Sequence, residues 1–377
     1  MLVKNISAAL VLTGLLFPSQ GAAEDCTLAA IELNKGVQLS DGSTTEEGYY
    51  RKAMQNCPKL PEAYYNLGLN LLRQTKHEAA VEAFRKAFDT REDAAFLVAL
   101  GTALASKGDL DAAEKEYRNA LKMAADSSDA QAGLAAIAER RGDYTKAEDA
   151  IRAAIQLAPN ESMHFLNLGV VLEKLGRTDE AITSFETATA KRSDLAPAYV
   201  HLGQLYTRQK KFDKAEPALI KASYLSPKDA RVWLALGSYY ESRGEYSQAK
   251  EQFQKTLELE KQNSSALINL GIVMTHLGEE EQGIAKLAEA LKVSPNNSRA
   301  QGALGWAYLR DKKLVEAEQA LLAAVKADDK NALAHNNLGV LYELQGIKDQ
   351  AREHFTKAGQ LDPLLTEAKT NLERLQN

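Results

Sequence analysis

The sequence predicts an all-α fold, a solenoid of stacked antiparallel helix pairs, and three observations predict it. Eight glycines recur along the chain, Gly68, Gly101, Gly169, Gly203, Gly237, Gly271, Gly305 and Gly339, at steps of 33, 68 and then 34 residues, with Ala135 midway in the double gap. Alanines keep the same time. One series (Ala80, Ala113, Ala147, Ala181, Ala215, Ala249, Ala317, Ala351) lies twelve residues behind the glycine lattice, and another (Ala87, Ala120, Ala154, Ala188, Ala222, Ala290, Ala324, Ala358) lies seven further on. Between the lattices the apolar residues take helical steps: Trp233, Leu236, Gly237 and Tyr240 share one face, Gly244 ends that helix, and Tyr246, Ala249, Phe253, Thr256 and Leu257 begin the next. A fixed period of this length means one supersecondary unit stacked on itself. Each unit is a helix pair, A then B.

The elements follow in chain order. A lone Lys4 precedes an apolar stretch from Ile6 to Phe17 and a small-residue segment ending Gly21-Ala22-Ala23. The stretch is too short to cross a bilayer. Residues 1–23 therefore read as an export signal cleaved after Ala23, which places the mature chain in the periplasm or outside the cell. Residues 24–60 read as a degenerate first repeat: Ala53 and Pro58 keep its end, while Glu46 stands where alanine belongs. Nine repeats fill residues 61–363. Gly283 and Thr256 are their small departures, and Pro217 is placed in the first turn of a B helix, where a missing N–H matters least. Residues 364–377 begin like an A helix, with Ala368 and Leu372 inward but Glu373 at the glycine position, and read as a polar cap on the last apolar face.

A glycine inside a helix costs about 1 kcal/mol relative to alanine. A cost repeated eight times needs an offset, and close approach of the paired helices supplies one. The expectation is that the B-helix alanine comes in beside the A-helix glycine, with Phe84, Tyr117, Ile151, Phe185, Phe253 and Phe355 filling the flanks.

The runs Trp233-Leu236-Gly237-Tyr240-Ala249-Phe253 and Leu338-Gly339-Tyr342-Ala351-Phe355-Ala358-Pro363 resemble the tetratricopeptide repeat pattern, as do the closing prolines Pro159, Pro227, Pro295 and Pro363. The resemblance implies a right-handed superhelix. It also implies that the residue two before each glycine looks into a concave groove lined by A helices. Those positions hold Asn66, Ala99, Gly133, Asn167, His201, Ala235, Asn269, Ala303 and Asn337. Asn66, Asn167, His201, Asn269 and Asn337 resemble the polar ladder with which such solenoids grip a peptide backbone, since a carboxamide offers both donor and acceptor. The alternative is that these side chains bond neighbouring helices or water. The lysine of the family's chaperone-tail clamp is missing, because its position holds Tyr65, Val98, Leu166, Val200, Leu234 and Ile268.

A second stripe, five residues after the glycine, carries Arg73, Arg140, Lys174, Arg208, His276 and Arg310, with Glu139, Glu173, Glu241 and Glu343 just before it. Alternating signs favour surface ion pairing over a track for acidic peptides. Trp306 follows Gly305 and is expected to lean into the groove or onto the adjacent A helix, whereas Trp233 is assigned to the core. Cys26 opens the first A helix and Cys57 closes its B helix, ends that adjoin in an antiparallel pair. A disulfide is expected there, in keeping with export, the alternative being two separate buried thiols.

Little else suggests chemistry. The net charge of −5 is mixed along the chain, without a basic tract for nucleic acid. His77, His164, His201, His276, His335 and His354 are scattered, the glycines do not cluster into a phosphate loop, and Glu279-Glu280-Glu281 reads as a solvated turn. No catalytic residue, metal ligand, cofactor or membrane span is expected. The leading expectation is a non-enzymatic scaffold that takes an extended or helical segment of a protein partner. The resemblance suggests envelope assembly of pilus, secretion or polysaccharide-export machinery. Two other readings stand beside it: a self-assembling homo-oligomer, and a targeting subunit of a separate enzyme such as a glycosyltransferase.

Overall fold

The computed structural model describes residues 20–376, with side chains from 26 to 375. Residues 1–19 of the expected leader lie outside this range, and the expected cleavage point falls within the first helix, which is continuous from Gln20. The chain forms two compact units, residues 1–193 and 194–377.

The first unit contains α1 (Gln20–Leu39), α2 (Thr44–Asn56), α3 (Pro61–Arg73), α4 (His77–Thr90), α5 (Ala94–Lys107), α6 (Leu110–Met123), α7 (Ser128–Arg140), α8 (Tyr144–Leu157), α9 (Ser162–Lys174) and α10 (Thr178–Lys191). The second contains α11 (Ala196–Arg208), α12 (Phe212–Leu225), α13 (Ala230–Ser242), α14 (Tyr246–Leu259), α15 (Ser264–His276), α16 (Glu280–Val293), α17 (Ser298–Arg310), α18 (Leu314–Ala327), α19 (Ala332–Leu344), α20 (Lys348–Leu361) and α21 (Thr366–Gln376). There is no strand among the described residues. Within each unit every odd-numbered helix packs on the even-numbered helix that follows, and successive pairs stack.

The alanine series are wholly buried, Ala80, Ala113, Ala249 and Ala351 among them. The glycine contact differs from the expectation. A Cβ built on Gly68 would lie 2.6 Å from the Phe84 ring, and one on Gly237 would lie 2.4 Å from Phe253. The bulky B-helix side chain sixteen residues on, rather than the alanine, occupies the space each glycine leaves. Gly271 follows the same rule, a Cβ there lying 2.6 Å from Leu287, and adds a second contact. Its Cβ would meet the Gly283 carbonyl at 2.9 Å, so the helices of that pair touch backbone to backbone, and the glycine at 283 is required there.

Helix boundaries repeat as well. Asp93, Ser127, Glu161, Asp229, Asn263, Asn297 and Asn331 each accept a backbone N–H in the first turn of the A helix that follows. Pro217 lies six residues into α12, beyond the expected first turn, and removes a hydrogen bond to the carbonyl four residues back.

The departures at the first pair have physical reasons. Cys26 and Cys57 form a disulfide with their Cα atoms 5.0 Å apart. Glu46 is fully buried and accepts from the Gly42 N–H at 2.7 Å and the Tyr50 hydroxyl at 2.9 Å. It also pairs with Arg73 of α3. A carboxylate can replace alanine here because each of its oxygens is bonded.

At the other end α21 packs on α20. Ala368 is wholly buried, the Asn371 amide donates to the Asn336 carbonyl oxygen at 3.0 Å, and Arg374 pairs with Glu343 at 2.5 Å.

Candidate functional site: the ladder face of the A helices

Within each unit the expected ladder positions fall on one face of successive A helices but differ in what they offer. Asn167 and Asn337 are half-buried and hydrogen-bond no other described residue. Asn66 is buried, with neither amide atom bonded. Asn269 is buried, and its carbonyl oxygen accepts from the Arg299 guanidinium of the next A helix at 2.6 Å. It follows the alternative in which a rung bonds its neighbour. His201 is half-buried and engaged with other groups of the protein. The free carboxamides therefore form isolated points rather than a continuous ladder.

The basic stripe is largely consumed by contacts to the preceding pair. Arg73 pairs with Glu46, Arg140 donates to the Ala105 carbonyl, and Arg310 lies 3.5 Å from Glu280. Arg208 has partners within the protein. Lys174 is exposed. Similar bridges tie other successive pairs, Arg177 to Glu148 at 2.6 Å and Lys250 to Glu279 at 2.6 Å, while Arg91 to Glu62 at 2.5 Å joins the two helices of one pair. Glu279 and Glu280 thus belong to inter-repeat bridges at the start of α16. Acidic side chains suit that helix terminus, so the solvated-turn expectation is corrected.

Trp233 also requires correction, whereas Trp306 takes the second of its two expected places. Trp233 is half-buried, with its indole N–H on the Pro227 carbonyl at 2.8 Å and the Lys255 ammonium 4.8 Å from the ring centre. It covers the end of its pair and is not a core residue. Trp306 is half-buried and packs on His276 of the adjacent A helix, ring centres 4.7 Å apart. His276 in turn lies flat on Tyr246 at 4.4 Å. Burial holds the His276 imidazole below its ordinary pKa, and Arg310 nearby adds to the effect.

Sequence reasoning missed one polar contact. His335 of α19 and His354 of α20 meet with their Nδ1 atoms 3.0 Å apart, and His335 Nε2 lies 3.1 Å from the Asp329 carbonyl. That carbonyl can only accept, so Nε2 carries the proton and His335 Nδ1 accepts from His354. Nineteen residues separate the two, so no single-helix spacing reveals them. A hollow of about 610 Å³ beside them opens along α20, away from the ladder face. Among the described residues no three metal-ligating side chains converge, and no helix is long and apolar enough to cross a membrane.

The comparisons with known proteins agree with this architecture. Family models described as tetratricopeptide repeat match residues 65–118, 98–162 and 172–239. A further model, the middle TPR-like domain of cilia and flagella-associated protein 70, matches residues 219–362. The repeats define a helical-repeat protein of the interaction-mediating kind, and the chain belongs to the tetratricopeptide repeat family. No curated protein matches it. Among solved structures, a tetratricopeptide repeat protein from Parabacteroides merdae is 19% identical with a TM-score of 0.56, covering 67% of this chain and 99% of its own. The APC/C hetero-tetramer Cut9-Hcn1 is 14% identical with a TM-score of 0.59, covering 95% of this chain and 90% of its own. At these identities the likeness is one of fold.

Proposed function

We propose that this chain is a non-enzymatic scaffold that holds a segment of a partner protein against the ladder face of its A helices, in the periplasm or outside the cell. The observation that carries the reading is the state of that face in residues 194–377. There Asn337 has an uncommitted carboxamide, Trp306 is half-open, and Leu333 and Leu344 are 60% and 61% exposed. Exposed leucines on the same helix face as an unbonded amide suit a peptide that needs both apolar cover and backbone hydrogen bonds. The Cys26–Cys57 disulfide supports an oxidising compartment, as does the leader-like composition of residues 1–23.

Two measurements test the reading. A photoreactive residue at Asn337 should capture a partner in the intact cell, whereas one at exposed Glu289 of α16 should not. Equal capture, or none, counts against the ladder face. Mass spectrometry of the purified protein should find Glu24 as its first residue; a chain still beginning at Met1 would remove the export part.

A further inference from the structure

The ladder face of α15, α17 and α19 has a chemistry of its own, set out in parallel rows. Three residues after each ladder position stand Ile272, Trp306 and Val340, all half-buried, which put an apolar residue at the same position of three successive A helices. Arg299 flanks this row on one side and Arg310 on the other, and both are exposed. Arg299 is held in place by the neutral Asn269 carboxamide, so its charge is not cancelled by its own partner. The Arg310 contact to Glu280 is long at 3.5 Å. On α19 the flanking positions turn apolar, with Leu333 and Leu344. On the preceding A helix stands Glu241, whose pKa is raised by burial against the opposing pull of Arg299. Trp306 is held in orientation by His276, which is itself stacked on Tyr246.

We infer that this face receives an extended acidic segment of a partner protein, with apolar side chains at every third residue and carboxylates between them. The inference rests on the ladder-face reading and names the class of partner. Its spacing follows from two lengths. Neighbouring packed helices lie about 10 Å apart, and an extended chain in the polyproline II conformation advances about 3.1 Å per residue with three residues per turn, so every third side chain faces the same way and meets the next apolar row member. Its charge follows from Arg299, whose guanidinium is held by a neutral amide and offers the planar fork that suits carboxylates, while Arg310 is shared with Glu280. Trp306 is the central anchor, an aromatic ring braced by its neighbours and open on its remaining face.

The test uses the full chain carrying Trp233→Phe, so that Trp306 is the only tryptophan and its emission is selectively excited. Three synthetic peptides are titrated: repeats of Leu-Glu-Ser, of Leu-Lys-Ser and of Ser-Glu-Ser. The glutamate-leucine peptide should shift the emission to the blue and saturate. The other two should bind at least about tenfold more weakly, and Arg299→Glu should weaken the first peptide about tenfold while leaving the far-ultraviolet circular dichroism unchanged. Equal binding of the lysine and glutamate peptides overturns the acidic class but leaves the ladder-face reading standing. No response to any peptide overturns the inference, and capture at Asn337 then decides the wider reading separately. An emission change that tracks protein concentration without peptide would identify a second copy as occupant and also overturns it.

Discussion

A single methyl group has opposite effects at two glycines of this chain. Gly48 sits within α2 with nothing within 4 Å of where a Cβ would stand, so Gly48→Ala should stabilise by about 0.5–1 kcal/mol through helix propensity. At Gly271 the same change drives a Cβ against the Gly283 carbonyl, backbone that cannot rotate aside, and should cost about 2–3 kcal/mol. Denaturant midpoints of the two variants measure both; shifts of the same sign would refute the account. His164 gives a pH prediction. It is 3% exposed, neither ring nitrogen has a partner, and burial lowers its pKa while Glu161 and Asp129 oppose. As pH falls below about 6.5 the unfolded chain takes up the proton first. Stability is therefore complete above that value and declines from there toward the lower folded pKa. The wild-type melting temperature should fall more between pH 7.5 and 5.5 than that of His164→Ala; equal falls would dismiss the residue as the cause. At this scale the sequence was a mixed guide. The glycine and alanine lattices were legible because each repetition reinforces the next. The buried carboxylate of Glu46, the pairing of His335 with His354 and the Arg299–Asn269 bond each occur once, so nothing in the period announces them.

The helices themselves were almost wholly readable, since their ends recur as faithfully as their faces. The turn after each A helix needs one residue with positive φ. Gly244, Gly278 and Gly346 supply it at 76°, 79° and 79°, but Lys210 and Lys312 hold the same position at 56° and 61°. A side chain in that region costs roughly 1 kcal/mol. Lys312→Gly should therefore raise stability by about 0.5 kcal/mol once the added freedom of the unfolded chain is counted. A lower melting temperature for that variant would show that Lys312 makes a contact worth more than the strain. The side-chain caps Asp93, Ser127, Glu161, Asp229, Asn263, Asn297 and Asn331 form a further 34-residue lattice, interrupted only at Leu195. It becomes visible once helix starts are known, and it fixes them better than the apolar pattern does. Trp233 misleads for the opposite reason: its place in the pattern is that of a packing residue, yet its ring closes over an open turn and a lysine.

For the molecule as a whole, within each unit the helices pack on those one or two places along the chain, so stability is a sum of pair and neighbour contributions rather than one shared core. Among the described residues the first pair has a neighbour on one side only, and its disulfide closes a loop of 31 residues. Reduction should remove roughly 3–4 kcal/mol from the stability of that pair in the chain-entropy view. Hydrogen exchange should then quicken in α1 and α2 while α15 to α20 remain protected. Uniform loosening of the whole chain would disprove the local picture. The partner class cannot be read at this scale from periodicity, because binding depends on the few positions where the repeats differ.

The 34-residue register has a last consequence, for how such a chain changes length. Excising one whole turn of the pattern from the middle of a unit brings together two seams shaped alike, whereas excising half of one sets a glycine face against another glycine face. Descendants of this gene should therefore grow and shrink in complete modules, and the breakpoints need not respect any particular helix.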